Sequence, residues 1–290
     1  MSNLKSLLLS CFLLLTFAAQ GFSQQAKSLL WKISGNGITE PSYLYGTIHI
    51  ICEKDFLLSN PVEESFKKTS QIYLEIDMDD PNMMADMQRY MNMPNDQNLQ
   101  SVLKPEDYRT VGSFFKDSLG VNIDLFKNTK PLLLYSFVLI KMMDGCSTKS
   151  YEQTFVEMAK AQKKEVKGLE TIPQQMSFID QIPLDKQAED LVKSINSYAK
   201  YKEYFNKMIA AYKNQDIEGL QKLSDDPEFG TSENENEALI YSRNKNWIEL
   251  IKNIAAKQST FFAVGAGHLA GESGVINLLR KQGYTVEAVN

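Results

Sequence analysis

The chain contains only two histidines, and both lie in the same local sequence pattern. His49 belongs to the segment Tyr43–Ile50, and His268 belongs to the segment Phe261–Gly271. Each segment begins with a short apolar run typical of a buried strand and continues as Gly-x-x-His. The glycine permits a sharp turn or a close approach at the carboxyl end of the strand, where open α/β sheets place their ligand sites. A single histidine of this kind is usually a core or turn residue, whereas the repeated pattern predicts a functional pair.

Glu75 is a third candidate, because it interrupts an otherwise apolar predicted strand. The strand, Gln71–Asp77, alternates apolar and polar residues. Burying a carboxylate without a partner is costly. Glu75 is therefore either an outward-facing residue of a half-exposed strand or a group that points to the same sheet edge as His49.

Arg243 and Asn244 lie in the middle of a predicted amphipathic helix, Glu237–Lys257. A surface position is the simplest interpretation of any one arginine. Close to the two histidines, however, an arginine can hold a substrate anion or stabilise a developing oxyanion. Both interpretations remain open at the level of the sequence.

Two histidines and one carboxylate (His49, His268 and Glu75) can bind a divalent metal ion and leave positions open for water and substrate. Such an ion lowers the pKa of bound water and polarises a carbonyl or phosphoryl oxygen. The same groups can also hydrolyse a bond without a metal, with His49 as general base and Glu75 orienting it. The sequence has no Gly-x-Ser-x-Gly, His-Glu-x-x-His or phosphate-loop motif that decides between the two mechanisms.

The elements that must position these residues form a β–loop–α–β unit at each end of the chain. The first unit comprises predicted strands at 28–33, 43–45 and 71–77 with a helix from Pro61, and the second comprises strands at 260–264 and 285–289 with a helix at 274–282. The pattern predicts an α/β (α+β) fold: a central mixed sheet of two related halves, flanked by helices.

The middle of the chain is predicted to be helical. Residues 173–236 are expected to form an arm or cap over the sheet, because apolar residues recur there at helical spacing. Five methionines lie within the acidic segment 83–93. A methionine stripe of this kind is typical of a pliable core or lid surface and needs no metal to explain it.

The N-terminus predicts export. Lys5, the apolar run Leu7–Ala19 and the small residues Gly21–Ser23 form a signal peptide over 1–23, which leaves a single domain, 24–290, in the periplasm or outside the cell. The apolar run of about 13 residues is too short to span a membrane, and no later stretch reaches about 18. Cys11 resembles a lipoprotein cleavage site, but its closeness to Lys5 and the apolar run after it favour signal cleavage. The net charge of −5, without a basic stripe, argues against a nucleic-acid partner.

Two cysteines, Cys52 and Cys146, remain after signal cleavage. An even pair in an exported protein predicts a disulfide, which would close a loop of about 94 residues. The alternative is two buried free thiols. A bridge would hold the loop after His49 close to Gly145.

The motifs, in their order along the chain, resemble the TraB/GumN family. They are Tyr-Leu-Tyr-Gly46-Thr-Ile-His49, Tyr73-Leu-Glu75-Ile-Asp, Gly168-Leu-Glu170-Thr with Gln174 and Gln175, Arg243-Asn244, and Gly265-Ala-Gly-His268-Leu-Ala-Gly271. That family includes the TIKI metalloproteases and is distantly similar to erythromycin esterases and to ChaN, a haem-binding lipoprotein. The resemblance covers about Leu29 to Val289.

The resemblance implies an active-site group of His49, Glu75, Arg243 and His268. It further implies that Gly46, Glu170, Asn244 and Gly265 contact the substrate. The implied activity is metal-dependent hydrolysis, with a peptide or protein as substrate and manganese, cobalt or zinc as cofactor. Two alternatives remain from the residues alone: a metal-free, esterase-like hydrolase, and a non-enzymatic protein that binds a peptide or haem.

Overall fold

A computed structural model describes residues 27–289 of the chain. The predicted signal peptide and Cys11 lie outside the described residues. The strands are β1 (Leu30–Ser34), β2 (Ser42–Thr47), β3 (Ile51–Cys52), β4 (Gln71–Leu74), β5 (Thr148–Lys149), β6 (Glu165–Gly168), β7 (Thr260–Gly265) and β8 (Thr285–Ala288). Six of them form one mixed sheet in the order β6-β4-β7-β2-β1-β8, and β3 pairs with β5 in a separate two-stranded sheet. The predicted fold class is confirmed.

The helices surround the main sheet and fill the middle of the chain. They are α1 (Asn60–Lys68), α2 (Met83–Tyr90), α3 (Leu99–Val102), α4 (Pro105–Leu119), α5 (Pro131–Met142), α6 (Tyr151–Ala161), α7 (Ile172–Ile179), α8 (Leu184–Asn196), α9 (Tyr198–Lys213), α10 (Ile217–Ser224), α11 (Glu233–Asn236), α12 (Ser242–Ala255) and α13 (Val275–Lys281). No helix of residues 27–289 is both long and apolar enough to cross a membrane.

The two strands that carry the Gly-x-x-His motifs lie side by side at the centre of the sheet. β2 and β7 are parallel, with Gly46 opposite Val264 and Thr47 opposite Gly265. Nearly every residue of both strands is buried, as expected for a central strand covered on both faces. Parallel strands end at the same edge, so both motifs leave the sheet on the same side.

The middle helices have an apolar core of their own. Helices α3, α4, α5, α8 and α9 contribute to a cluster that includes Phe115, Leu134, Val138 and Leu191. The methionine-rich segment forms α2, in which no residue is buried, and Met83 and Met87 pack beside α7. The predicted disulfide between Cys52 and Cys146 is present, with its Cα atoms 5.7 Å apart.

Two element boundaries differ from the sequence prediction. The strand predicted over 71–77 ends at Leu74, so Glu75 follows the strand and does not interrupt it. The helix predicted over 237–257 begins with a wide π turn, Glu237–Tyr241, before α12 continues as a regular α-helix. Both differences change the direction in which a charged side chain leaves the backbone, and both occur at the candidate site.

Candidate active site

Gly46 allows the two motifs to pack against each other. A Cβ atom at this position would lie 2.6 Å from Leu269 Cδ1 and 3.1 Å from the Ala266 Cα. These distances are shorter than a van der Waals contact, so no larger residue fits without displacing the second motif. Gly46 therefore has a packing role that is independent of any substrate.

Glu75 lies one residue beyond β4 and points into the space between the motifs. Its Oε1 accepts a hydrogen bond from the Gly265 N–H at 2.7 Å, and its Oε2 accepts one from Arg243 Nη2 at 2.5 Å. Burial opposes ionisation, but the charges of Arg243 and His49 and the Gly265 N–H together hold the pKa of Glu75 well below its usual range. Glu75 is therefore a buried carboxylate at neutral pH.

Arg243, in the first turn of α12, is buried and lies at the centre of this cluster. Its guanidinium donates to Glu170 from Nε and Nη2, at 3.0 and 2.6 Å, as well as to Glu75. Nη1 donates to the Leu239 carbonyl at 2.8 Å, in the π turn that precedes α12. Burial opposes the charge, but Glu75 and Glu170 raise the pKa of Arg243 above its ordinary value. The guanidinium is a permanent internal cation.

Glu170 accepts hydrogen bonds from three different side chains. Besides Arg243, Trp247 Nε1 donates at 3.2 Å and Gln175 Nε2 donates at 3.0 Å. Gln175 also reaches Glu75 Oε2 at 3.4 Å. Residue 170 therefore serves the cluster as a second buried carboxylate, and its hydrogen-bonding capacity is taken up by protein groups.

The tautomer of His268 follows from the hydrogen bonds of Asn244. The Asn244 amide group donates to the carbonyls of His268 and Ser273, at 3.2 and 2.8 Å, so its Oδ1 must be the acceptor of the 2.6 Å contact with His268 Nδ1. His268 Nε2 then accepts from Arg243 Nη1 at 3.2 Å. Burial and the nearby Arg243 charge lower the pKa of His268 to about 3, so the ring is neutral at physiological pH.

His49 differs from every member of this buried cluster because 72% of its side chain is exposed. Its Nδ1 lies 2.9 Å from Glu152 Oε1. That hydrogen bond, assisted by the charge of Glu75, raises the pKa of His49 to about 9. Within the described part of the chain, Nε2 of His49 has no hydrogen-bond partner. The ring is therefore a cation held at one nitrogen and open at the other.

Glu152, in the first turn of α6, was not predicted from the sequence. Its Oε1 also accepts from Thr47 Oγ1 at 2.6 Å, and its Oε2 accepts from Ser150 Oγ at 2.9 Å. Ser150 in addition caps α6 by accepting from the Gln153 N–H. The only sequence signal was the cap itself, with an acidic residue in the first helical turn, and that signal does not say which group the carboxylate faces.

His49 lies at a cavity of about 350 Å³. The lining residues come from the loop after β2, from β5 and from the start of α6: His49, Ile50, Thr148, Lys149, Ser150, Gln153, Thr154 and Glu157. This volume is within the range of small-molecule sites. The open nitrogen of His49 is thus accessible to a bound molecule.

The predicted metal ligands do not form one coordination site. Both histidines have Nδ1 bound to a side-chain oxygen, an arrangement common in metal ligands. However, His268 Nε2 accepts from Arg243, both oxygens of Glu75 accept hydrogen bonds, and no group of three His, Cys, Asp or Glu side chains within residues 27–289 can hold a metal ion. As arranged here, these residues do not fit a metal held by three protein ligands.

A sequence profile of the TraB/PrgY/gumN family matches residues 29–288, nearly the whole of the described chain. The chain belongs to this family. The Metalloprotease TIKI1 of Danio rerio is 24% identical over 317 residues, which cover 90% of this chain and 63% of the relative. The Metalloprotease TIKI2 of Xenopus tropicalis is 23% identical, with 91% and 60% covered. The human Metalloprotease TIKI1 is 22% identical, with 91% and 62% covered.

The chain spans about three fifths of the length of these relatives. No solved structure matches it significantly. The family assignment therefore comes from the sequence, and the chemical properties of the site come from the geometry of its side chains.

Proposed function

We propose that the protein is a hydrolase that cleaves peptide bonds and that His49 transfers the proton this reaction requires. The observation that carries the proposal is an imidazole at the cavity whose Nδ1 is held by Glu152 and whose Nε2 has no partner among the described residues. Membership of the TraB/PrgY/gumN family and similarity to the TIKI metalloproteases support peptide hydrolysis. The substrate is a peptide or protein.

His49 is suited to act as a general acid. With a pKa of about 9, the imidazolium presents an Nε2–H to the substrate at neutral pH. Water adds its oxygen to the carbonyl carbon, the C–N bond breaks, and the leaving nitrogen takes the Nε2 proton. One proton of the water restores the imidazolium, and the other stays on the carboxyl group of the product. Glu75 favours the charged ring, because its buried negative charge raises the pKa of His49.

This chemistry is supported by a group of three residues beside the first motif: Arg243, His268 and Glu75. They are buried, and they bond to one another and to the backbone of the second motif. Since Leu269 and Ala266 of that motif pack on Gly46, the cluster fixes the position from which the His49 loop departs. In this proposal the four residues act as one group, with His49 as the member that meets the substrate.

Metal dependence is a further part of the proposal, supported by the description of the relatives as metalloproteases. The ion would be manganese, cobalt or zinc; because Arg243 engages His268 Nε2 and Glu75 Oε2 in the arrangement described above, its binding would require these contacts to open. Calorimetric titration of the mature protein with each ion tests it directly. Binding of one ion per chain, lost in His49→Ala and in His268→Ala, is the expected result; an absence of binding removes the metal from the proposal.

We also propose that the protein is exported and that residues 24–290 act as one domain, with the helices of 173–236 as a cap. The formed disulfide supports an oxidising compartment such as the periplasm or the cell exterior. N-terminal sequencing of protein recovered after expression with its natural leader is expected to begin at Gln24. An intact Met1 in the exported fraction would contradict the signal peptide.

Turnover of a quenched-fluorescence peptide library tests the hydrolase. His49→Gln removes the proton donor, and we expect kcat to fall by about 10²- to 10⁴-fold. Lys207→Gln on α9 is the control, because it also removes one positive charge from an exposed position. Full turnover by His49→Gln would remove His49 from the chemistry, and no cleavage of any peptide by the wild type would contradict the proposed function itself.

A metal-free, esterase-like hydrolase is the second candidate. The observation that favours it is that Arg243 already forms hydrogen bonds with His268 Nε2 and Glu75 Oε2. His49 is therefore the accessible group. Hydrolysis of activated esters that persists undiminished in excess chelator, without peptide cleavage, would support this candidate over the first.

A further inference from the structure

Glu152 holds the exposed side chain of His49 through a hydrogen bond to Nδ1. Its carboxylate is buried, yet it carries no lysine or arginine partner within the described chain. It instead accepts hydrogen bonds from Thr47, His49 and Ser150. A buried carboxylate is costly unless its oxygens are paired, so this set of donors accounts for the burial.

The three donors come from two separate elements. Thr47 is the last residue of β2 and His49 follows it in the first Gly-x-x-His turn, whereas Ser150 is the cap residue of α6. Glu152 therefore attaches the turn to the helix. Because an ionised carboxylate can only accept hydrogen bonds, His49 must donate from Nδ1, which leaves Nε2 without a partner among residues 27–289 at a residue that lines the cavity.

We infer that Glu152 is the positioning residue for His49: it fixes the Nδ1–H tautomer and the ring orientation that present Nε2 to the substrate. This inference rests on the proposed role of His49 in hydrolysis. It adds a residue from α6, 103 positions away along the chain, to the machinery of the first motif. Carboxylates that orient a histidine in this way typically change activity by about 10- to 100-fold when they are removed.

The chain offers a direct spectroscopic test because it has only two imidazoles. Long-range ¹H–¹⁵N correlation spectra at about pH 11, where the rings are neutral, report the tautomer of each histidine separately. In the wild type we expect His49 to carry its proton on Nδ1. In Glu152→Leu we expect a shift of the His49 population toward Nε2–H, while His268, held by Asn244, keeps its signals.

Activity supplies the second measurement. Glu152→Leu is expected to lower kcat by about 10- to 100-fold with little change in KM, and Glu152→Gln, which keeps an acceptor oxygen, is expected to recover part of the loss. Glu64→Gln is the control: it removes one negative charge from an exposed position on α1, away from His49 and its cavity. It should leave both the tautomer and kcat unchanged.

Two results would overturn the inference. One is a wild-type His49 tautomer that persists in Glu152→Leu; the other is a kcat in this variant equal to that of Glu64→Gln. If Glu152→Leu does not fold, the kcat of Glu152→Gln decides, because a value equal to that of Glu64→Gln would overturn the inference; Thr47→Val keeps the bond to His49 and should preserve the tautomer. If the wild type cleaves no peptide, the proposed function fails while the tautomer measurement still decides the role of Glu152.

Discussion

The two Gly-x-x-His motifs begin alike and end in opposite environments. They leave adjacent parallel strands at the same sheet edge. His49 is 72% exposed, bonded to a carboxylate and has a pKa of about 9. His268 is 3% exposed, bonded to an amide and has a pKa of about 3. The motif therefore sets where each ring lies, and the elements packed against it set what the ring can do.

The difference arises from the helix that faces each motif. Helix α6 brings a carboxylate to His49 Nδ1 and leaves the rest of the ring to solvent. Helix α12 brings both Asn244 and the Arg243 cation to His268 and covers the ring with Trp247, whose centroid lies 4.6 Å away. An adjacent cation and burial both favour the neutral imidazole, whereas a carboxylate favours the charged one. Similar motifs thus give one charged ring with a free nitrogen and one neutral ring that accepts a hydrogen bond from Arg243.

The largest effect is expected from removing the cation of the buried side. Arg243→Met leaves Glu75 and Glu170 buried without a positive partner, and we expect the free energy of unfolding to fall by about 3–5 kcal/mol. Urea denaturation measures this change. Arg109→Met, at an exposed position on α4, is the control and should change stability by less than about 0.5 kcal/mol. Equal losses in the two variants would mean that the buried cluster contributes no net stability.

A smaller change should bring the two environments closer together. Asn244→Asp places a carboxylate on His268 Nδ1, as Glu152 does on His49, and so should raise the pKa of His268 from about 3. The variant also loses the hydrogen bonds that the Asn244 amide group donates to two carbonyls, which should lower the free energy of unfolding by about 1–3 kcal/mol. NMR titration of the two imidazoles reads the pKa directly. An unmoved pKa would show that Arg243 and burial alone control this ring.

The pH dependence of stability should carry opposite contributions from the two rings. His49 has a folded pKa of about 9, above the ordinary 6.5, so its contribution is complete below pH 6.5 and is lost as the pH rises through 9. His268 has a folded pKa of about 3, so the unfolded chain gains a proton first and stability falls as the pH drops from 6.5 toward 3. Urea unfolding from pH 4 to pH 10 checks both. In His49→Gln the alkaline loss should shrink while the acid loss remains, and the reverse pattern would reverse the assignment of the two pKa values.

Much of the fold follows from local sequence patterns. The central strands are short apolar runs ended by glycine, and the pairing of the two histidines follows once β2 and β7 are known to be parallel neighbours. The disulfide could be predicted because the predicted signal peptide leaves two cysteines in the mature chain. These features depend on composition and periodicity over a few residues, which a single sequence contains.

The contacts of the site depend on tertiary packing and could not be read in the same way. Arg243 looks like a surface residue in its helix pattern, but it is buried because α12 turns that face toward two carboxylates from other elements. Glu152 lies in an ordinary amphipathic helix, and its partner is far away in the sequence. Glu75 was placed inside a strand because periodicity does not reveal that the strand ends at Leu74.

The π turn at Glu237–Tyr241 makes the contacts of this helix sensitive to the insertion or deletion of a single residue. A π turn holds one more residue than an α turn, and each residue of an α-helix advances the rotation by about 100°. Deleting one residue here would restore a regular helix but rotate Arg243 relative to α11, which is anchored by its own capping box at Ser232. One end of the helix would then have to give up its contacts. Related sequences are therefore expected to vary in loop length upstream of Ser232 while keeping the spacing between that cap and the arginine fixed.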